Sequence, residues 1–393
     1  MQIYMVGGAV RDALLGLPVK DRDWVVVGST PEELVALGYL PVGRDFPVFL
    51  HPETKEEYAL ARTERKTAPG YRGFAIHAAP DVTLEQDLAR RDLTINSIAI
   101  HADYIKAEGL FEDKSATFID PFGGQKDVAL KVLRHVTLAF REDPVRILRV
   151  ARLAARFTDF SVAPETLQLM REMVRDGEAD HLVSERVWQE LARGLLEKRP
   201  SRMFDVLSEC DVLPRLFPEV LALGGPLQTA VLDLAVSRQA PLSVGFACLC
   251  ASLRPPGTPT SNSTWIKDLS ERLRAPSDCK ELAEVVVRES SAIDKCLDFD
   301  ANALVDLLER CDAFRKPTRL KDILLASACL AQVGNPSPDK PYLPQQRLLS
   351  AFSAAQTVAT DLVANSAILA GATGPKIGQL IHAARVEAVH RLF

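Results

Sequence analysis

The sequence predicts an α+β head over residues 1–140, followed by an all-α neck, body and tail. The head is predicted because short apolar runs, bounded by turn residues, alternate there with helical segments. The all-α part is predicted because Ala-, Leu- and Arg-rich segments with helical spacing follow one another after residue 143. With 393 residues the chain is also too long for a single core, so we expect two or three domains.

The elements of the head follow from these runs in order. Strands are predicted at the N-terminus and at residues 24–27, 48–50, 58–61 and 98–100. Helices are predicted at residues 9–15, 31–37 and 84–90.

The helical part begins where Pro144 suits the first turn of a helix. Helices are predicted at residues 143–156, 164–176, 184–198 and 201–210. Proline- and glycine-rich text between residues 213 and 226 then marks a boundary. We therefore expect a neck and body over residues 141–220 and a tail over residues 221–393.

Composition excludes several classes of protein. Seven cysteines without a Cys-x-x-Cys pair argue against a disulfide framework and for a reducing cytoplasm. No apolar run approaches the ~20 residues that span a bilayer, so we expect a soluble protein with no membrane partner. The net charge of −5 argues against a broad basic face for nucleic acid. Any RNA would bind to local patches, such as Arg62, Arg65 and Lys66 or the arginine-rich helix after residue 141.

A glycine turn followed by two spaced carboxylates predicts the chemistry of the head. Gly7 and Gly8 allow a phosphate to approach backbone N–H groups at the start of a helix, with Arg11 one turn further on. Asp21 and Asp23, two residues apart on a predicted strand, point to one face while the residue between them faces away. Two converging carboxylates repel each other unless a cation lies between them, and Mg²⁺ prefers such oxygen ligands together with substrate phosphates. The pattern predicts Mg²⁺-dependent nucleotidyl transfer.

Four further segments extend this pattern. They are residues 42–52, residues 57–66, the run Arg90-Arg91-Asp92-Leu93-Thr94-Ile95-Asn96, and the run from Glu142 to Arg149. With the glycine turn, they resemble the bacterial class II CCA-adding enzymes, which are tRNA nucleotidyltransferases with a head of the DNA polymerase beta superfamily. The resemblance covers nearly the whole chain, most densely over residues 1–220, and it weakens beyond about residue 345.

The resemblance implies template-independent addition and repair of the 3′-terminal CCA of tRNA. The 3′-hydroxyl of tRNA would attack the α-phosphate of CTP or ATP and release pyrophosphate. Asp21 and Asp23 would be the catalytic carboxylates and the Mg²⁺ ligands. The nucleotide would contact Gly8, Arg11, Arg91, Asp143, Arg146 and Arg149, with Arg91 on the triphosphate and ribose. DNA is not expected as a partner.

Asp143 and Arg146 are predicted to read the base. Cytosine and adenine both present an exocyclic amine beside a ring-nitrogen acceptor, which match a carboxylate and a guanidinium. Guanine and uracil present the reverse pattern and would leave buried groups unpaired at roughly 1–3 kcal/mol each. Arg146 and Arg149 share one helix side with Arg152 and Arg156. We expect the first pair to face the nucleotide and the second to serve structure or the RNA backbone.

Several points stay open at this level. A third metal carboxylate could be Glu57, but Glu56 is adjacent and sequence does not give the strand register. Residues 67–73, which carry glycine and proline between a predicted strand and helix, are the expected mobile element. The competing interpretations are a poly(A) polymerase of the same superfamily and a non-catalytic tRNA-binding protein.

The tail departs from the family pattern. Many relatives carry a C-terminal HD domain with a His-Asp metal pair, and here the corresponding text places Ala251 and Ser252 after Leu249-Cys250. No histidine lies between His181 and His382. We therefore interpret the tail as a degenerate HD-like domain that keeps its helices without that metal site.

Overall fold

A computed structural model describes residues 1–42, 48–66, 74–105, 117–254, 257, 264–333 and 340–392. The expected mobile element at residues 67–73 lies outside these residues, as do residues 43–47 of the family pattern and the side chains of Arg65 and Lys66. Residues 67–73 connect two strands, so the expectation that they lead from a strand into a helix is wrong.

Among the described residues, every strand lies at or before residue 162. They are β1 Gln2–Val6, β2 Asp23–Val27, β3 Leu40–Val42, β4 Val48–Leu50, β5 Glu57–Leu60, β6 Thr63–Lys66, β7 Phe74–His77, β8 Ala99–His101, β9 Phe118–Ile119, β10 Val132–Leu133 and β11 Ser161–Val162.

Helices alternate with these strands and then continue alone. They are α1 Gly8–Leu14, α2 Pro31–Ala36, α3 Leu84–Ala89, α4 Gly124–Leu130, α5 Val145–Arg156, α6 Pro164–Arg175, α7 Ser184–Gly194, α8 Ser201–Glu209, α9 Leu213–Leu216, α10 Ala230–Ser237, α11 Leu242–Leu253, α12 Thr264–Leu273, α13 Ser277–Asp294, α14 Ala301–Arg310, α15 Pro317–Gln332, α16 Leu343–Gln356, α17 Thr360–Leu369 and α18 Gly374–His390. The predicted α+β head and a mostly helical remainder are confirmed, with the ends of the predicted elements shifted by a few residues at most. The all-α prediction is wrong for Ser161–Val162, because these residues pair in parallel with β10.

Seven strands form one mixed sheet in the order β3-β4-β5-β2-β1-β8-β9. The valine-rich β2 lies inside it, antiparallel to β1 and parallel to β5, and its residues Trp24, Val25 and Val26 are buried. A strand buried on both faces reads as a continuous apolar run, which is why this segment was predictable. Leu84 and Leu88 of α3 pack into the same core.

The ladder of β2 begins at Asp23, so the prediction that both carboxylates lie on the strand is wrong for Asp21. Asp23 pairs with Val6, the last residue of β1, and with Glu57, the first residue of β5. Asp21 therefore precedes the point at which either neighbouring strand offers a partner, and it lies exposed in the preceding loop.

The chain divides into two compact units. The first comprises Met1–Glu190 and Arg202–Leu216, and the second comprises Leu191–Ser201 and Phe217–Phe393. This boundary falls near the predicted start of the tail, while the finer division into head, neck and body stays a prediction.

The second unit is helical where it is described. Its α11 is buried on most sides, with Phe246, Cys248 and Leu249 fully covered. At the position of the missing metal pair, the Ser252 hydroxyl donates to the Cys248 carbonyl 3.1 Å away within the same helix. All seven cysteines of the chain are buried free thiols. Among the described residues, no helix has the length and apolar character needed to cross a membrane.

Candidate active site

A cavity of about 510 Å³ in the first unit brings most of the predicted site residues together. Seven of the eight line it, namely Gly8, Arg11, Asp23, Arg91, Asp143, Arg146 and Arg149. Asp21 is not among its lining residues. The described lining holds nine arginines and four carboxylates. The cavity is therefore strongly basic, although the whole chain carries a net charge of −5.

The glycine turn leaves room for two of these arginines. Gly7 precedes α1 with a positive φ of 73°, a conformation that favours glycine. A Cβ atom on Gly7 would lie 3.0 Å from Nη1 of Arg91, and one on Gly8 would lie 3.3 Å from Nη2 of Arg11. Both guanidinium groups therefore reach the backbone of the turn because it has no side chains.

Two carboxylates on neighbouring strands also line the cavity, and we call this pair, Asp23 and Glu57, the acidic edge. Asp23 and Glu57 are direct partners in the parallel pairing of β2 and β5, so their side chains leave the sheet on the same face. Both are exposed, and among the described residues neither side chain has a hydrogen-bond or ion-pair partner.

Glu56 belongs to a different environment. Its carboxylate accepts a hydrogen bond from the Trp24 indole at 3.0 Å and lies 3.6 Å from Nε of Arg22. Arg22 thus faces away from the cavity, as predicted. The register that sequence could not give selects Glu57, and not Glu56, as the neighbour of Asp23.

Helix α3 supplies the arginines Arg90 and Arg91 at its C-terminal end. The helix begins at Leu84 because Thr83 and Gln86 form a reciprocal capping box. Asp87, one turn later, is fully buried. Its Oδ1 accepts from Nε and Nη2 of Arg90 at 3.0 and 2.5 Å, and its Oδ2 accepts from Nη2 of Arg91 at 3.1 Å. Burial alone would raise the pKa of Asp87, but the charges of Arg91 and Arg90 lower it.

Helix α5 supplies the next arginines, and Asp92 holds one of them. Nε of Arg149 donates to Oδ2 of Asp92 at 2.7 Å, and Nδ2 of Asn96 donates to Oδ1 at 3.0 Å. Burial alone would raise the pKa of Asp92, yet the charge of Arg149 and the bond from Asn96 hold it well below its usual value. The charge of Asp92 in turn raises the pKa of Arg149. We call Arg90, Arg91, Arg146 and Arg149, with the buried Asp87 and Asp92, the arginine wall.

The remaining arginines of α5 also line the cavity and are paired within the first unit. Nε of Arg152 donates to Glu190 at 2.6 Å, and Nη2 of Arg156 donates to Asp12 at 2.7 Å. Asp12 also accepts from Nε of Arg11, whose Nη1 donates to the Asn96 side chain at 2.6 Å. These contacts give Arg152 and Arg156 the structural role expected of them.

Asp143 and Arg146, the predicted base-reading pair, lie at the start of α5. Arg186 of α7 donates from both Nη atoms to the two oxygens of Asp143, at 3.0 and 2.6 Å. Nη1 of Arg146 donates to the Ala139 carbonyl at 2.9 Å. The two bonds from Arg186 fix the plane of the Asp143 carboxylate as well as its position.

Sequence reasoning gave no site role to four polar residues that line the cavity, namely Arg90, Asp92, Asn96 and Arg186, and it placed Arg62 in a patch for RNA. Arg90, Asp92 and Asn96 lie within residues 90–96, a run that carries the family resemblance, so the sequence does contain a signal for them. Arg186 lies 43 residues from Asp143 in the chain, and only the packing of α7 against α5 within the first unit reveals the contact.

Comparisons with known proteins agree over the whole chain. The model of the Poly A polymerase head domain matches residues 3–134, and that of the Probable RNA and SrmB- binding site of polymerase A matches residues 159–223. The Multifunctional CCA protein of Polaromonas naphthalenivorans (strain CJ2) is 59% identical over 100% of this chain and 98% of its own length.

Two solved structures are similar in fold. The Bacillus stearothermophilus CCA-adding enzyme in complex with CTP gives a TM-score of 0.69 at 22% identity, over 99% of this chain and 89% of its own. A CCA-adding enzyme in complex with ATP gives 0.66 at 23% identity, over 99% and 86% of the two chains.

Proposed function

The chain belongs to the family of the multifunctional CCA proteins, and from this premise we propose that it is a tRNA nucleotidyltransferase. It adds and repairs the 3′-terminal CCA of tRNA without a template, uses CTP and ATP, and releases pyrophosphate. One observation supports the reaction most directly: a single cavity is lined both by two register-paired carboxylates and by an excess of arginines. A nucleoside triphosphate and a divalent cation together match that charge distribution.

The acidic edge fits Mg²⁺ because its donors are carboxylate oxygens on adjacent strands that no described residue neutralises. Asp23 and Glu57 would hold the ion, and Asp21 would reach it from the loop before β2. When bound, Mg²⁺ lowers the pKa of the attacking 3′-hydroxyl and offsets the charge of the leaving pyrophosphate.

The glycine turn and the arginine wall bind the triphosphate in this proposal. Gly8 exposes backbone at the start of α1, while Arg11, Arg91 and Arg149 bring positive charge to the same cavity. Because Asp87 and Asp92 already bind arginines of the wall, these guanidinium groups need little reorganisation when a phosphate arrives.

Asp143 and Arg146 select cytosine and adenine. Asp143 accepts from the exocyclic amine, and Arg146 donates to the ring nitrogen. Arg186 orients the Asp143 carboxylate for this contact through its two bonds. Guanine and uracil would leave both protein groups unpaired, at roughly 1–3 kcal/mol apiece.

The substrate implies the cytoplasm, where tRNA is processed. We assign the second unit a role in holding tRNA rather than a metal-dependent activity, since Ala251 and Ser252 replace the metal pair of HD domains.

Incubation of the purified protein with tRNA lacking its 3′ end and each labelled nucleotide singly tests this function. We expect CMP addition, then AMP addition to tRNA ending in CC, and neither UMP nor GMP. Asp23→Ala and Asp21→Ala should abolish both additions and keep tRNA binding, because both nucleotides use one metal site. Asp81→Ala, an exposed carboxylate that does not line the cavity, is the control.

Other outcomes would identify the alternatives. A long run of AMP on any RNA would indicate a poly(A) polymerase, and tRNA binding without addition would indicate a non-catalytic protein. Wild-type rates in both aspartate variants would contradict the metal assignment.

A further inference from the structure

We propose that Asp87 is a positioning residue for nucleotide binding, which fixes Arg91 and Arg62 in the geometry that receives the polyphosphate. This inference rests on the proposed function. Asp87 does not line the cavity, so it acts through the residues that it holds. Its burial is complete, and every hydrogen bond that it accepts comes from Arg90, Arg91 or the backbone of Arg62, all of which line the cavity.

The contact with Arg91 uses only part of that guanidinium. Nη2 of Arg91 donates to Oδ2 of Asp87 at 3.1 Å. Nε of Arg91 is buried and has no acceptor among the described residues, and Nη1 lies against the glycine turn. A buried donor without an acceptor is energetically unfavourable, so Arg91 is held in this position by its other contacts, of which the bond to Asp87 is one. Asp87 therefore anchors Nη2 of Arg91, and Nη1 stays at the glycine turn, where a phosphate is proposed to bind.

The contact with Arg62 works through the backbone. Oδ1 of Asp87 accepts from the Arg62 N–H at 3.3 Å, and Nε of Arg90 donates to the Arg62 carbonyl at 3.0 Å. Both backbone groups of Arg62 are thus held by the pair formed by Asp87 and Arg90. Arg62 lies between β5 and β6, just beyond the strand that carries Glu57. The same carboxylate therefore ties helix α3 to the strand that forms part of the acidic edge.

Asp127 provides a matched control within the first unit. It is also buried, accepts from the Thr94 hydroxyl at 2.7 Å and pairs with Nε of Arg134 at 3.1 Å. Arg134 does not line the cavity. Asp87→Asn and Asp127→Asn therefore remove the same charge from similar environments, and only the first disturbs cavity arginines.

The experiment compares these variants in the full-length protein by KM for CTP and ATP, by the inhibition constant of pyrophosphate and by thermal unfolding. For Asp87→Asn we expect both KM values and the pyrophosphate constant to rise on the order of 10-fold, because small misplacements of binding groups have effects of this size. The preference for C and A over U and G should stay unchanged, because the base-reading pair is not touched. Asp127→Asn should stay within about 2-fold in all binding constants at a similar loss of stability.

A double-mutant cycle separates positioning from a general defect. If Asp87 acts through Arg91, then Asp87→Asn should add little to the effect of Arg91→Ala on pyrophosphate inhibition. Additive effects would overturn the inference, as would binding constants that move equally in the Asp87 and Asp127 variants.

If Asp87→Asn does not fold, Asp87→Glu serves instead, because it keeps the charge and displaces it by one methylene. An unchanged inhibition constant of pyrophosphate in Asp87→Glu would also overturn the inference. A wild-type protein that adds neither nucleotide would instead refute the proposed function.

Discussion

At the acidic edge, Asp23 and Glu57 are exposed and have no partner among the described residues, whereas at the arginine wall Asp87 and Asp92 are buried and bonded through both oxygens. The same chemical group thus serves two purposes in one cavity. The carboxylates at the edge are available to bind a ligand from solution, which we propose to be Mg²⁺. The buried carboxylates of the wall neutralise and orient arginines that line the cavity.

This difference separates two kinds of expected damage. A change at the edge should cost activity and little stability, because the edge carboxylates stabilise nothing within the described fold. Removal of a buried carboxylate of the wall, Asp87 or Asp92, should lower stability as well, because it leaves a guanidinium without its counter-charge.

The largest effect is expected at the edge, from Glu57→Gln. This change should lower the rate of both CMP and AMP addition by about 100-fold, the upper range for weakening a metal site without removing its main ligand. Glu56→Gln is the matched control, since Glu56 bonds to Trp24 and Arg22 and does not line the cavity. Single-turnover rates at several Mg²⁺ concentrations measure both variants. Equal losses in the two would mean that the register of β2 and β5 does not define the metal site.

The next largest effect is expected at the arginine wall, from Asp92→Asn. Arg149 would lose its counter-charge, but solvent reaches the Arg149 side chain, which is 38% exposed. We therefore expect the free energy of unfolding to fall by about 2 kcal/mol, within the range for charged hydrogen bonds. Asp159→Asn, which breaks an exposed pair with Lys131, should cost at most about 0.5 kcal/mol. Denaturant unfolding at pH 7 compares the two.

The pH dependence of the Asp92 effect has a definite sign. The pKa of Asp92 is lowered in the folded protein, so its contribution is complete above the unfolded value of about 3.9 and is lost as the pH falls through the folded value. The difference between wild type and Asp92→Asn should therefore shrink below about pH 4. A difference that grows on acidification would contradict the assigned pairing.

The acidic edge and the arginine wall also differ in how far the sequence could predict them. Asp23 and the glycine turn were predictable because local spacing and a valine-rich run carry the signal. The exclusion of Asp21 from β2 was not, since β2 can begin only where β1 ends and β5 begins, at the partners of Asp23. The roles of Asp87 and Arg186 depend on which helix end meets which strand or helix, and no local pattern encodes such a contact.

A smaller effect is expected from Arg186→Lys, which replaces a two-point contact with Asp143 by a single one. Loss of about 1.4 kcal/mol of base discrimination would raise UMP incorporation relative to CMP about 10-fold. Arg152→Lys is the control, because Arg152 also lines the cavity but pairs with Glu190. Misincorporation assays with each nucleotide measure the ratio. A uniform loss of rate for all four nucleotides would leave Arg186 a structural role only.

The smallest effect, none at all, is expected for metal-dependent hydrolysis by the second unit. His382 lies at the end of the histidine-free stretch, and α18 brings it against α14, where its ligand atoms and those of Asp306 and Glu309 lie within 4.8 Å of one another. Sequence reasoning missed this group because His382 lies more than 70 residues from Asp306 and Glu309 in the chain.

Existing contacts already engage this group, and that is the argument against a metal there. Nδ1 of His382 lies 3.1 Å from the Glu309 carboxylate, which also accepts from Arg385 at 3.1 Å. Nε2 of His382 lies 3.2 Å from Oδ1 of the Asn302 side chain. The charge of Arg385 on Glu309 opposes a second cation.

In the full chain carrying Asp23→Ala, we expect no Ni²⁺-stimulated hydrolysis of 2′,3′-cyclic AMP, and calorimetry should detect equal Ni²⁺ binding with and without His382→Ala. His390→Ala, an exposed histidine on the same helix, controls for adventitious imidazole binding. Stoichiometric Ni²⁺ that disappears only in the His382 variant would show that α14 and α18 form a metal site after all.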